Sequence, residues 1–181
     1  KKFLSNWKIL TSIILLPSYN LSGVILLSPY FELSENLKPS EFKINLAIRL
    51  SYYFPTSKSA GNNDINIGCK NKKYELLSTL NEYRYQGKFM LSTLREIYLS
   101  SMYVNKNQEK INTPILAIHN KNDKVTCYKG TVNFINKIKS DDKEMFLLED
   151  GNHTLLVPFN DDDYQPTVIL SKIVNWINRR I

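Results

Sequence analysis

Two histidines, His119 and His153, are the whole supply of imidazole general bases in this 181-residue chain. His119 ends an apolar run, and His153 lies in Gly151-Asn152-His153 just after another. Asp123 stands in His119-Asn120-Lys121-Asn122-Asp123, in the loop leaving the first of those runs. A carboxylate beside a histidine holds the ring in one tautomer and stabilises its charged form during proton transfer. Each residue also has a plain reading. Asn122-Asp123 is a common turn pair, and His153 in a Gly-Asn-His turn can serve only to cap a loop. Spacing alone leaves both readings open. His119, at the end of a strand, reads as structural. Cys127 reads as a small, partly buried thiol, and with Cys69 it forms neither a disulfide framework nor a zinc quartet.

The elements that would position this pair are short apolar runs between breakers. Val24 to Leu27, Pro114 to His119 and Met145 to Leu148 read as strands buried on both faces, as in a parallel sheet. Gly130 to Lys139 carries Val132, Phe134, Ile135 and Ile138 at helical spacing, and a second stripe runs from Val168 to Ile177. Strand and helix in alternation predict an α/β sheet with right-handed crossovers. Loops at the carboxyl ends of such strands gather on one edge, which would bring Asp123 and His153 together. From Tyr30 to Lys110 no buried strand is evident. Glu41 to Tyr53 and Leu91 to Val104 read as helices, and Ser57 to Lys73 as loop. An insertion of this size between two strands reads as a cap laid over the ligand-binding edge.

Composition bounds the rest. Hydrophobic residues at 43% and charged residues at 23% are ordinary globular values. A chain this long buries roughly 70% of its unfolded surface, enough for one domain with a real core. Net charge +7 argues mildly for an anionic surface such as membrane. The free use of Asn, Lys, Ile and Tyr, as AT-rich coding DNA supplies them, explains the charge as well. The stretch from Ile9 to Leu27 is interrupted by Pro17-Ser18-Tyr19-Asn20 and falls short of a membrane span. The chain is therefore expected to be soluble; its location in the cell and its oligomeric state stay open.

Ser22-Gly23-Val24-Ile25-Leu26-Leu27-Ser28-Pro29, the helical insertion, Ile111 to His119 with Asp123-Lys124-Val125, Asp150-Gly151-Asn152-His153-Thr154-Leu155-Leu156 and Ile173-Val174-Asn175-Trp176-Ile177 together resemble a known family. They are similar to the carboxyl-terminal part of monoacylglycerol lipase and lysophospholipase-type α/β-hydrolases, the serine aminopeptidase S33-like group. The resemblance implies residues 1–29 and 111–181 as part of the hydrolase core and residues 30–110 as a helical cap. It implies Asp123 as the acid of a Ser-Asp-His triad and His153 as its base. A lipid carboxylic ester is the implied substrate, with no cofactor, no nucleic-acid partner and a contact with the membrane surface as a further partner. Phe31, Met90 and Tyr98, with other apolar residues of the cap, are expected to line an acyl-binding cleft or simply to pack the cap.

Two departures stand out. Asn120 stands where the family usually has glycine. No pair among Gly23, Gly61, Gly68, Gly87, Gly130 and Gly151 frames a serine as Gly-x-Ser-x-Gly, the strained elbow that exposes the nucleophile. On the family's order that elbow precedes Val24, so the serine is expected upstream of this chain. Lys1 to Leu16 is then expected to hold the tail of the helix after the elbow, or sequence spliced beyond it. The alternatives are a catalytically inactive remnant acting as a binding module, or a basic peripheral membrane protein.

Overall fold

The computed structural model describes residues 21–59, 68–69, 71–85 and 87–180. Lys1 to Leu16 and Gly61, which carry expectations above, lie outside the described residues. Three strands form a parallel sheet in the order β1 (Val24–Leu27), β2 (Ile115–Asn120), β3 (Lys143–Leu148). The register pairs Val24 with Ile115 and Ile115 with Lys143, so all three strands run their carboxyl ends to the same edge. Parallel strands need crossovers, and helices supply them here. Between β1 and β2 come α1 (Glu41–Tyr53), α2 (Lys72–Leu80) and α3 (Leu91–Asn107), then a 3₁₀ turn at Gln108–Lys110. A single helix, α4 (Tyr128–Lys137), joins β2 to β3, and α5 (Gln165–Asn178) follows β3.

Every residue of β2 is buried, and its two faces feed separate clusters. Ile115 and Ala117 pack with Val24, Leu26, Phe134, Ile135 and Ile138, the last three carried by α4 and the residue after it. Leu116 and Ile118 pack on the other face with Leu148, Leu155, Ile169 and Trp176, two of them from α5. This explains why β2 reads as a continuous apolar run rather than an alternating one: it has no solvent face. At about 25 cal/mol per Å² the burial of such side chains is the main force holding the layers together.

The insertion is built differently. α1 packs on α3, where the Arg95 guanidinium donates to Ser51 Oγ at 3.2 Å and lies over the Tyr52 ring at 4.5 Å. α2 is capped by Asn71, whose side chain accepts from the Tyr74 N–H at 3.0 Å, as N-cap residues do. None of its residues is fully buried. Ser101 Oγ and Asn105 Nδ2 of α3 both donate to the carbonyl of Phe31, whose side chain packs in the core with β1, β2 and α4. Among the described residues no helix is long and apolar enough to cross a membrane.

Candidate active site

The acid side of the site is made by the turn that leaves β2. The Asp123 N–H donates to the carbonyl of Asn120 at 3.2 Å, which folds the chain back at once. Oδ1 of Asp123 accepts from the backbone N–H groups of Val125 (2.7 Å) and Thr126 (3.0 Å). This is the Asx-type turn that Asp forms readily, and it fixes the carboxylate plane. Oδ2 is left for side chains. It accepts from the Thr126 hydroxyl at 2.9 Å and lies 2.8 Å from His153 Nδ1 and 3.2 Å from His119 Nε2. The whole residue is 8% exposed. Burial pushes the carboxyl up, but hydrogen bonds from His119 and His153, the charge of His153 and the Thr126 N–H outweigh it. The group is held well below the usual carboxylate range.

The base side is the turn after β3. At Gly151 the chain passes close to its neighbours: a Cβ would come within 2.5 Å of Gln165 Oε1, the end of a flexible side chain, and 3.2 Å of Asn120 Nδ2. Gln165, the first residue of α5, also donates from Nε2 to the Asp150 carbonyl. Asn120, fully buried, donates from Nδ2 to the Gly151 carbonyl, while its Oδ1 accepts the Asn122 N–H at 3.0 Å. Asn120 thus laces the loop that carries Asp123 to the loop that carries His153. His153 donates its backbone N–H to the Gly68 carbonyl at 2.9 Å, so a short piece of the insertion also holds this turn. With Nδ1 given to Asp123, Nε2 is the nitrogen free to take a proton, and the side chain is 28% exposed. A ring so held can act as a general base toward a hydroxyl presented at that nitrogen.

The other singled-out residues fall elsewhere. Phe31 is 3% exposed, its ring stacked on Phe134 with centroids 4.2 Å apart, so it packs the core. Met90 is 38% exposed at the residue before α3. Tyr98 is half-buried on α3 and close enough to Tyr30 to act on its phenol, which burial, Tyr98 and Glu32 together push up. Cys127 is a free thiol at the start of α4, its N–H donating to the Glu32 carbonyl at 2.9 Å. Asp150 is exposed and caps its own turn through the Gly151 N–H. Among the described residues no three His, Cys, Asp or Glu side chains gather to hold a metal ion.

Three contributors have no functional reading in the sequence, where Thr126 and Gly68 go unread and His119 reads as structural. Thr126, three residues after Asp123, carries the signal of an Asx turn. His119 is four residues before Asp123, yet its role depends on which way the strand end points. Gly68 has no local signal, because its contact is made with a loop more than eighty residues away.

Known proteins bear on this arrangement. The family model Hydrolase_4, "Serine aminopeptidase, S33", matches residues 8–161. Caffeoylshikimate esterase of Arabidopsis thaliana is 26% identical over 162 residues, which is 88% of this chain and 48% of that protein. The chain thus spans about half the length of that curated relative. Among solved structures, a soluble variant of monoglyceride lipase from Saccharomyces cerevisiae in complex with a substrate analog superposes with a TM-score of 0.81 at 17% identity. It covers 97% of this chain and 59% of that one. Monoacylglycerol lipase of Paleococcus ferrophilus gives 0.84 at 18% identity, over 98% and 66% of the two chains. Similarity at those identities shows the α/β-hydrolase fold, and the match of the family model along most of the sequence shows more: the chain belongs to the serine aminopeptidase S33 family of hydrolases.

Proposed function

We propose that Asp123 and His153 are the acid and base of a Ser-Asp-His triad that cleaves lipid carboxylic esters, monoacylglycerols or lysophospholipids. The observation that carries the reading is the 2.8 Å bond from His153 Nδ1 to Asp123 Oδ2 at the carboxyl edge of a parallel sheet. The nucleophile is a serine on a Gly-x-Ser-x-Gly elbow in a segment preceding this sequence, which itself contains no such motif. Nε2 of His153 takes the proton as that serine attacks the ester carbonyl, and returns it to the leaving alcohol. Asp123 holds the ring and stabilises the imidazolium; water then cleaves the acyl-enzyme by the same proton path.

Residues 30–110 serve as the cap in this reading. Met90 and Tyr98 line the acyl cleft, and Phe31 supports them from the core side. The names of the relatives, an esterase and two lipases, favour an ester bond between an acyl group and an alcohol. Contact with a lipid surface is favoured by Phe42, Tyr53, Leu80 and Tyr83, each 71% exposed or more, in a chain of net charge +7.

The experiment is hydrolysis of a monoacylglycerol, a lysophospholipid and a short aryl ester by this chain joined to its upstream segment. Release of fatty acid that is lost on His153→Ala supports the proposal. Hydrolysis that survives His153→Ala contradicts it.

A further inference from the structure

We propose that His119 is a positioning residue for Asp123: its Nε2–H donates to Oδ2, the same carboxylate oxygen that accepts from His153. The inference deepens the reading of Asp123 and His153 as acid and base, and its test separates the two. His119 is completely buried at the end of β2. Its Nδ1 is 2.8 Å from Thr131 Oγ1 of α4, and its Nε2 is 3.2 Å from Asp123 Oδ2. A buried core histidine needs partners at both nitrogens, and one of them here is the acid itself.

The chemistry of these partners fixes the tautomer. Nε2 also lies 3.3 Å from the Thr126 hydroxyl, but that hydroxyl gives its proton to Oδ2. Both neighbours of Nε2 therefore accept, Nε2 must carry the proton, and Nδ1 must then accept from the Thr131 hydroxyl. The Thr126 hydroxyl also donates to Oδ2, so three side chains converge on that oxygen while two backbone N–H groups hold Oδ1. Among the described residues no lysine or arginine is paired with Asp123; its ion-pair partners are the two histidines. When His153 is neutral, the form that accepts a proton, the buried charge of Asp123 is held by neutral donors alone. His119 supplies one of them and closes the place a water molecule would take beside Oδ2. The carboxylate cannot turn away from His153 without breaking that bond.

With two histidines in the chain, ring-nitrogen NMR of the histidine-labelled chain reads each one directly, above the pH at which both rings are neutral. The expected parent spectrum has His153 in the Nδ1–H form and His119 in the Nε2–H form. In Asp123→Asn the amide oxygen stays on the Val125 and Thr126 N–H groups, so the NH₂ stands where Oδ2 was and donates to both rings. Both are expected to switch together, His153 to Nε2–H and His119 to Nδ1–H, with the Thr131 hydroxyl turning to accept. A switch of His153 with His119 unchanged overturns the inference. A switch of His119 with His153 unchanged supports it and contradicts the acid–base pairing instead. Should Asp123→Asn fail to fold, the parent decides, since His119 found in the Nδ1–H form overturns the proposal. The positioning role itself is read from the His153 Nδ1–H proton. Its exchange with water should quicken several-fold in His119→Leu and return toward the parent rate in His119→Gln, which keeps a donor. Exchange unchanged in His119→Leu overturns that role.

Discussion

Asp123 is held by four hydrogen-bond donors, two from backbone and two from side chains, with His119 Nε2 3.2 Å from the same carboxylate. Asp123→Asn in the active protein should lower kcat by about 10⁴, the scale of the corresponding change in serine proteases, because the histidine is left in the wrong tautomer. Loss of less than tenfold would remove Asp123 from the acid role. The same residue also predicts an acid dependence of stability. Its folded carboxyl lies below the unfolded value of about 3.9. Its contribution is therefore present above about pH 4 and is lost as the pH falls further toward the folded value. Urea midpoints should show a larger gap between the parent and Asp123→Asn at pH 6 than at pH 3. An equal gap at both would mean that Asp123 is not a stabilising charge. At this scale the sequence was legible where chemistry is scarce: two histidines and one well-placed aspartate leave few pairings. It was illegible for Thr126 and His119, whose hydroxyl and imidazole have many structural uses.

Elements were legible wherever apolar residues face a core. The run Val24 to Leu27 and the helix Glu41 to Tyr53 are found with the expected bounds, and β2 is displaced by one residue. β3 begins two residues before Met145, because Lys143 and Glu144 pair with β2 while their side chains reach outward. α2 was missed altogether. Tyr74, Leu77 and Leu80 recur at helical spacing there, but with Leu76 they are all exposed, so this stripe does not mark a buried face. Three predictions belong here. Gly151→Ala should destabilise by about 1–3 kcal/mol, since its Cβ must displace Gln165 or Asn120; thermal denaturation at parent stability would contradict the close approach. Phe31→Ala should cost about 3–5 kcal/mol, as expected of a buried ring lost from a packed core. Met90→Ala should instead leave stability nearly unchanged and shift preference among acyl chain lengths, each methylene being worth about 1–3 kcal/mol. A Met90→Ala enzyme with the parent's chain-length profile would remove Met90 from the cleft.

On the scale of the whole molecule, a parallel sheet covered on both faces places the carboxyl ends of β2 and β3 side by side, and their two loops bring Asp123 and His153 together as the candidate site. The alternation of strands and helices foretold that edge. The piece of the insertion at Gly68 that fastens the His153 turn was beyond reach, because long-range contacts leave no periodic trace. The central claim, that Asp123 and His153 serve a serine outside this sequence, is tested most directly by labelling with a fluorophosphonate probe. The chain alone should not be labelled. Joined to an upstream segment carrying Gly-x-Ser-x-Gly, it should be labelled at that serine, and His153→Ala should abolish the labelling. A serine within residues 1–181 that is labelled in a His153-dependent way would contradict the account.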